Sequence, residues 1–275
     1  MNNYSINIYH LYPHLLNLYG DSGNIAVLKK RCEWHGIEAN VIEINDDGDT
    51  NLDDTDIILF GGGTESDLRI VRDYAASISA QVNAYIDRGG VMLALCEGYY
   101  MLGKSFPLGG VIVDGLGLLN IHTTASERRF AENVVIKSTL DGVTMDIVGF
   151  ENHIGEVHIG DLAPFGDVIC GFGNDATSTH EGVMYKNTIG THLHGPLLPK
   201  NPELADYMIR HALINKYGED VVLDENSTIE DANGSINDTN SIINDTNSII
   251  NDTMEIKAKR FMIEREIARM QARQG

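Results

Sequence analysis

The chain has 275 residues, which is enough for one large α/β domain or two small domains with a buried core. Hydrophobic residues make up 43% of the chain and charged residues 22%, a composition typical of a folded globular protein. With 20 Lys and Arg against 40 Asp and Glu, the formal net charge is -20, which argues against nucleic acid and anionic membrane surfaces as partners.

Neither a membrane span nor a leader peptide is indicated. No stretch approaches the roughly 18 consecutive apolar residues of a spanning helix, and the first residues lack a basic and then apolar pattern. We therefore expect a cytoplasmic protein. The cysteines Cys32, Cys96 and Cys170 are odd in number and far apart, which disfavours a disulfide framework.

The first hundred residues alternate between strand and helix patterns. Strands are predicted around residues 6–8, 41–44, 57–60 and 91–95, and helices after Gly23 and over the apolar positions between Val71 and Tyr85. The runs 57–60 and 91–95 are apolar throughout, as in strands covered on both faces. This order predicts a mostly parallel sheet flanked by helices, a three-layer α/β fold.

The rest of the chain divides at changes in composition. From about Leu118 to His194 short strand patterns predict continued mixed sheet, and the first domain is expected to span 1–223. Residues 224–253 contain a near-heptad Ser-Ile-Asn-Asp-Thr repeat, whose residue types favour a flexible acidic linker or insertion over a coiled coil. A helical pattern resumes over 254–275, which packs on its own domain or docks on a partner.

Cys96 is the first candidate for chemistry, because it directly follows the buried strand 91–95. Sites in such sheets form at the carboxyl ends of the strands. A thiol at a strand-to-helix turn is exposed by the bend, and the helix N-terminus favours its thiolate form. Gly98 permits a close approach of helix to strand. We therefore interpret Cys96 as a nucleophile rather than an ordinary buried cysteine.

A nucleophilic thiol requires a base, and two histidines near a Gly-Pro break are candidates. His192 and His194 are placed on the same face by strand alternation, so periodicity does not choose between them. Metal binding is disfavoured, because no cluster of further ligands at usual spacing accompanies them.

The glycine run Gly61-Gly62-Gly63 follows the other buried strand and lacks the spacing of a phosphate-binding loop. Its backbone can approach an oxyanion closely. Amides near Gly62 and Glu97 are therefore candidate donors to a tetrahedral intermediate, each worth about 3 kcal/mol. A tight strand-to-helix turn is the plainer interpretation, and the two are compatible.

Five segments together resemble class I glutamine amidotransferases of the CobB/CobQ type, with a flavodoxin-like fold, and most specifically the GatD subunits of lipid II isoglutaminyl synthases. The resemblance covers about residues 5 to 220 and returns weakly at Glu255–Arg260. The segments are Leu16-Asn-Leu-Tyr-Gly-Asp-Ser-Gly-Asn24, Phe60-Gly-Gly-Gly63, Cys96-Glu-Gly-Tyr-Tyr-Met-Leu-Gly103, Val148-Gly-Phe-Glu-Asn-His153 and Gly190-Thr-His-Leu-His-Gly-Pro-Leu-Leu-Pro-Lys200.

This resemblance implies a glutaminase subunit that hydrolyses L-glutamine and forms a heterodimer with a Mur-ligase-like subunit, MurT. That partner would amidate the D-glutamate of the cell-wall peptide with ATP and magnesium, so no cofactor is expected on this chain. The resemblance implies Cys96 as nucleophile, His194 as general base and Arg129 as the residue that holds substrate. A guanidinium can bind the α-carboxylate of glutamine with two hydrogen bonds.

The sequence departs from the family directly after the nucleophile. Glu97 stands where the family usually has Gly, and Tyr100 where it has Gln. A nearby carboxylate raises a thiol pKa. Two alternatives therefore accompany the glutaminase prediction: a glutaminase subunit for another ATP-dependent amidation, on a pseudomurein-type peptide or a cobyrinic-acid-type acceptor, and a catalytically impaired scaffold subunit. Pro196 stands where other class I enzymes have a third catalytic carboxylate.

Overall fold

The structure is a computed structural model that describes residues 4–46, 50–219 and 252–274. The predicted linker over 224–253 lies outside the described residues except for its last two. In the described residues, no helix is both long enough and apolar enough to cross a membrane.

The elements follow one another in an alternating order at first and as consecutive strands later. In chain order they are β1 Ser5–Leu11, α1 Ser22–Trp34, β2 Glu38–Ile44, β3 Ile57–Phe60, α2 Glu65–Asp87, β4 Val91–Leu95, α3 Glu97–Leu102, β5 Ser105–Leu108, β6 Val111–Asp114, β7 His122–Leu140, β8 Val143–His158, β9 Gly166–Cys170, β10 His180–Glu181, β11 Val183–Tyr185, β12 Thr188–Thr191, a 3₁₀ turn Leu198–Lys200, α4 Pro202–Tyr217 and α5 Thr253–Gln274.

The main sheet has the strand order β11-β12-β4-β3-β1-β2. Strands β12, β4, β3, β1 and β2 are parallel to their neighbours, and only β11 runs antiparallel. Parallel neighbours joined by helices require both faces of the sheet to be covered. The predicted α/β fold with a mostly parallel sheet between helices is confirmed.

The apolar strands supply residues to two cores, one on each face of this sheet. In β3, Ile57 and Leu59 join the core built with α1 and α4, whereas Ile58 and Phe60 join the core built with α2 and α3. Successive strand side chains point to opposite faces, so an uninterrupted apolar run is what this central position requires. The carboxyl ends of β3 and β4 lie side by side, which brings Gly61 and Cys96 to the same edge.

Residues 105–181 form a second sheet, in the order β10-β9-β7-β5-β6 with β8 paired to β7. Its main unit is a long antiparallel hairpin of β7 and β8, turned at Asp141 and Gly142, which both have positive φ. We expected continued mixed sheet here. The sheet is mixed, since β5 runs parallel to β7, but it is separate from the first sheet and mostly antiparallel. The two-residue turn between β7 and β8 joins antiparallel strands.

Helix α5 packs against the same unit, on β7, β8, β9 and the 3₁₀ turn. Lys259 pairs with Glu203 at 3.1 Å and Arg273 with Glu132. Of the two alternatives for this helix, the structure shows packing on its own domain. The division of the chain into 1–223, 224–253 and 254–275 stays a prediction.

Candidate active site

Cys96 lies on a strained turn between β4 and α3. Its backbone has φ 48° and ψ -110°, a region that non-glycine residues rarely adopt. The turn is tight because α3 passes directly over the end of β3: a Cβ added at Gly98 would lie 2.8 Å from the Gly61 carbonyl oxygen. This strand-to-helix elbow presents the thiol at the carboxyl edge of the sheet, the geometry of a nucleophile.

The segment after β12 lies against the sulfur. The Cys96 amide donates to the Thr191 carbonyl at 2.9 Å, and the Cys96 Sγ atom is 3.5 Å from the carbonyl oxygen of His192. Cys96 itself is only 1% exposed, so the expectation that the bend exposes the thiol is wrong. The contact is therefore with the backbone of His192, and the chain continues from there to His194.

His194 lies in a buried position between two elements of the site. Its backbone pairs with Phe150 of β8 in both directions, at 3.0 Å and 3.3 Å, and its ring stacks on Tyr19 with 3.8 Å between centroids. Burial is the main cause that lowers the pKa of His194 to about 4, and Lys200 adds to the shift. The imidazole is thus neutral at pH 7, and its buried Nε2 atom has no hydrogen-bond partner among the described residues. Such a nitrogen can accept a proton.

Tyr19 connects His194 with the nucleophile. A Cβ built on Gly62 would lie 3.3 Å from the Cys96 Cβ atom and 3.6 Å from the Tyr19 Cδ2 atom. One edge of the Tyr19 ring thus approaches the glycine loop beside Cys96, while its face stacks on His194. Tyr19 is therefore the side chain that links His194 to the edge of the sheet that carries Cys96.

His192 has a different environment. Its ring stacks on His153 with 3.7 Å between centroids, and its exposure is 0%. Its backbone amide donates to Glu181 Oε1 at 2.7 Å, and Glu181 Oε2 accepts from Thr191 Oγ1 at 2.8 Å. Burial lowers the pKa of His192 well below its ordinary value. His192 and Glu181 thus form a buried polar layer behind the sulfur.

Four carboxyl groups surround the thiol. Burial, followed by Glu97, Asp21, Glu181 and Glu151, raises the pKa of Cys96 well above its ordinary value. The expectation that the helix N-terminus favours a thiolate is therefore wrong for this resting state: α3 has only six residues, and burial with the nearby carboxylates outweighs its dipole. The resting pair consists of a neutral thiol and a neutral imidazole.

The glycine loop differs from the predicted oxyanion site in one respect. The Gly62 amide already donates to Asp21 Oδ2, at 2.9 Å. Asp21 is fully buried, which raises its pKa to about 6. The Glu97 amide lies in the first turn of α3, where amides have no intrahelical partner. The Glu97 amide also interacts with its own carboxyl group, so both predicted donors have a carboxyl group beside them in this structure.

Arg129 lies at the outer rim of the site. It is exposed, and its Nη1 atom donates to Asn152 Oδ1 at 2.9 Å. The Tyr19 hydroxyl donates to the carbonyl of the same Asn152 at 3.3 Å. The positive charge of Arg129 acts to lower the pKa of both Glu97 and Tyr19. The structure thus brings Arg129 within electrostatic range of Glu97 and Tyr19 while leaving the guanidinium exposed.

Three side chains of the site were not among the residues predicted from the sequence, namely Tyr19, Glu181 and Glu151. Glu151 accepts hydrogen bonds from the amides of Phe172, at 2.7 Å, and Gly173, at 3.2 Å, and lies 3.2 Å from the His153 ring. Tyr19 lies inside a segment that carried the family resemblance, and Glu151 does too. For Glu181 no local pattern gave a signal, since its contacts with Thr191 and His192 join segments that only the folded chain brings together.

A buried thiol on a strained elbow, linked through Tyr19 to an unpartnered neutral imidazole, suits nucleophilic thiol chemistry. A family model for the CobB/CobQ-like glutamine amidotransferase domain matches residues 7–202. The chain belongs to this family and is a glutamine amidotransferase, as predicted.

Two relatives are similar over most of their length. The lipid II isoglutaminyl synthase (glutamine-hydrolyzing) subunit GatD of Staphylococcus aureus (strain N315) is 37% identical over 78% of this chain and 86% of its own. The subunit of the same name in Streptococcus pneumoniae (strain ATCC BAA-255 / R6) is 36% identical over 80% and 85%. A probable cobyric acid synthase of Methanococcus maripaludis (strain C7) is 28% identical over 56% of this chain and 32% of its own. The predicted similarity to GatD subunits is confirmed.

Proposed function

We propose that this chain is a glutaminase subunit that supplies ammonia to a MurT-like Mur ligase, which amidates the D-glutamate of lipid II to D-isoglutamine. The Cys96 elbow beside the His192–His194 segment is the observation that carries the glutaminase part. The two GatD relatives, which match this chain over most of both lengths, support the acceptor.

The first step joins two neutral groups. Cys96 attacks the side-chain amide carbon of glutamine while His194 Nε2 takes the thiol proton, so the thiolate forms only during attack. The Glu97 amide donates to the developing oxyanion. The Gly62 amide can add to this stabilisation only by turning from, or sharing its hydrogen with, Asp21.

The second step divides the intermediate into its products. The protonated His194 donates its proton to the departing nitrogen, which leaves as ammonia, and a thioester remains on Cys96. Water then attacks the thioester with His194 as base, which releases glutamate and restores the thiol. Arg129 holds the α-carboxylate of the substrate throughout.

Ammonia is largely protonated in neutral water and is then no nucleophile. The proposal therefore includes direct passage of ammonia into the active site of the partner in a heterodimer. ATP and magnesium belong to that partner, whose activated acyl group takes the ammonia.

The test is glutamate release from L-glutamine by the complex of this chain with its Mur-ligase-like partner. Cys96→Ala is expected to abolish glutamate release, whereas the matched Cys170→Ala variant, at a half-buried cysteine outside the site, retains it. Equal rates in wild type and Cys96→Ala refute the nucleophile. A complex that amidates lipid II with ammonium chloride but not with glutamine identifies an impaired scaffold subunit instead.

The similarity to a cobyric acid synthase favours one alternative acceptor. The same complex is therefore given lipid II or a cobyrinic-acid-type acceptor, with ATP, magnesium and glutamine. Mass spectrometry of the products distinguishes them, and we expect conversion of a carboxyl group to a carboxamide on lipid II only.

A further inference from the structure

Glu97 has a carboxyl oxygen inside the site with nothing to bind. Its Oε2 atom is buried and has no hydrogen-bond partner among the described residues. It lies over the glycine loop, where a Cβ on Gly62 would be 2.7 Å from Oε2 and 3.3 Å from the Cys96 Cβ atom. A buried carboxyl oxygen without a partner is costly, so Oε2 calls for a donor or a cation in addition to the amides of Glu97 and Gly63 that the carboxyl group already meets.

The surrounding charges agree with a missing cation. Asp21, which is fully buried, has a second unpartnered oxygen, Oδ1, in the same region. Arg129 acts on Glu97 from the rim, but in the described residues its hydrogen bond goes to Asn152 and it forms no salt bridge. The site therefore combines an accessible guanidinium with two incompletely satisfied carboxyl groups.

One accessible guanidinium and two buried carboxyl groups are complementary in charge to the carboxylate and the ammonium of a zwitterionic amino acid. In glutamine, two methylene groups separate the amide carbon from the α-carbon, which carries an ammonium and a carboxylate. With the amide carbon at Cys96 Sγ and the α-carboxylate at Arg129, the α-ammonium needs an acceptor close to the nucleophile. Glu97, the next residue in the chain, offers one.

We infer that the Glu97 carboxylate binds the α-ammonium group of the glutamine and is a specificity-determining residue of this site. The inference rests on the proposed glutaminase function and adds to it how the chain selects an α-amino acid. Its side chain thereby has a role separate from that of its backbone amide, which faces the oxyanion.

The electrostatics of the free site are consistent with this role. Burial is the largest cause that raises the pKa of Glu97 to about 7, and Asp21 adds to it, whereas the amides of Glu97 and Gly63 and the charge of Arg129 oppose it. A bound ammonium favours the ionised carboxylate, so glutamine binding is expected to draw the proton off Glu97.

The experiment compares L-glutamine with glutaramate, which is glutamine without its α-amino group, in the complex with the partner. Wild type is expected to prefer L-glutamine in kcat/KM. In Glu97→Gln, which keeps the shape and removes the charge, the KM for L-glutamine is expected to rise about tenfold or more, while kcat/KM for glutaramate changes by less than about threefold. Glu33→Gln, at an exposed position on α1, is the matched control and keeps the wild-type preference.

An unchanged preference in Glu97→Gln overturns the inference. A rise in kcat/KM for both substrates overturns it too, since it shows that the carboxylate obstructs the thiol. If wild type and Glu33→Gln release no glutamate, the proposed function itself has failed.

A second measurement needs no variant. In wild type the preference for L-glutamine over glutaramate is expected to fall as the pH is lowered through about 7, because protonation removes the charge of Glu97. Of the other groups facing it, Cys96, Tyr19 and Arg129 act on both substrates, and Asp21, whose pKa is raised to about 6, loses its charge at a lower pH than Glu97. A pH-independent preference contradicts the inference.

Discussion

Glu181 provides a quantitative test of how the site is built. Its buried carboxyl group accepts from the His192 amide and from Thr191 Oγ1, and so holds the segment that leads from β12 to the sulfur. Burial nevertheless dominates and raises the pKa of Glu181 from 4.5 to about 8, with a smaller contribution from Glu151. The folded protein therefore binds the proton of Glu181 more tightly than the unfolded chain does.

The stability effect follows from this difference in proton binding. Below the pKa of Glu181 in the unfolded chain, Glu181 is protonated in both the folded and the unfolded protein. Its ionisation then has no effect on the free energy of unfolding. As the pH rises from there toward the folded pKa, the unfolded chain is favoured by about 1.4 kcal/mol per pH unit. Between pH 5 and pH 7.5 the wild type thus loses about 3 kcal/mol of unfolding free energy through this group alone.

Glu181→Gln removes this loss. The glutamine carbonyl can accept from the His192 amide and its NH₂ group can donate to Thr191 Oγ1, which is the arrangement of the protonated acid. We therefore expect the unfolding free energy of the variant, relative to wild type, to rise by about 3 kcal/mol from pH 5 to pH 7.5. Buried groups present in both proteins, such as Asp21, cancel in this difference.

The assay is urea unfolding followed by circular dichroism at both pH values, with Glu33→Gln as the control for loss of a surface carboxylate. The control is expected to show no comparable change. A difference between Glu181→Gln and wild type that is the same at pH 5 and pH 7.5 refutes the reasoning, because it means that Glu181 ionises in the folded state as easily as in the unfolded chain.

Two further changes test the packing around the site. Gly98→Ala places a Cβ against the carbonyl oxygens of Phe60 and Gly61, which are backbone atoms and cannot yield. We therefore expect the free energy of unfolding in urea to fall by about 1 to 3 kcal/mol, together with reduced glutaminase activity. A variant of wild-type stability contradicts the tight elbow. Arg31→Met removes a guanidinium that is 3% exposed and pairs with Asp206 and, at 2.8 Å, with Asp252, which leads into α5. We expect a loss of about 3 to 5 kcal/mol and faster hydrogen exchange in α5, and unchanged exchange there would show that the ion pairs do not hold the helix.

The sequence predicted those features that depend on local patterns. The apolar runs at Ile57–Phe60 and Val91–Leu95 predict strands covered on both faces, and Cys96 falls at a strand end for the same reason. The small residue Gly98 also predicts that the helix approaches the neighbouring strand closely, and the structure shows this approach of α3 to the end of β3. These features need only the alternation of strand side chains and the order of strands and helices.

Other features depend on contacts between segments that are far apart in the sequence, and the periodicity of the sequence does not predict such contacts. The second sheet is one such case, although the Asp141-Gly142 pair between two apolar segments is itself a local hairpin signal. The contact of Glu181 with the His192 amide is another, since it requires β11 to pair with β12. The stacking of Tyr19 on His194 joins residues 175 positions apart.

The ionisation of Cys96 shows why residue type and position do not settle chemistry. A thiol at a helix start favours a thiolate by local rules. Here burial and the nearby carboxyl groups, chief among them Glu97, reverse that preference. The carboxylate at Glu97, where the family has Gly, indicated from the sequence that the pKa of the Cys96 thiol is raised. The burial of Cys96, which is the larger cause, is known only from the structure.

The central claim is that Cys96 attacks glutamine with His194 as its base, and the most direct measurement is the rate of modification by 6-diazo-5-oxo-L-norleucine, an electrophilic glutamine analogue. The complex is treated with the analogue and the modified peptide is identified by mass spectrometry. We predict an adduct on Cys96 that forms about 100-fold or more slowly in His194→Asn, and at the wild-type rate in His122→Asn, at an exposed histidine on β7. An adduct at another residue, or an equal rate in His194→Asn, would contradict the account.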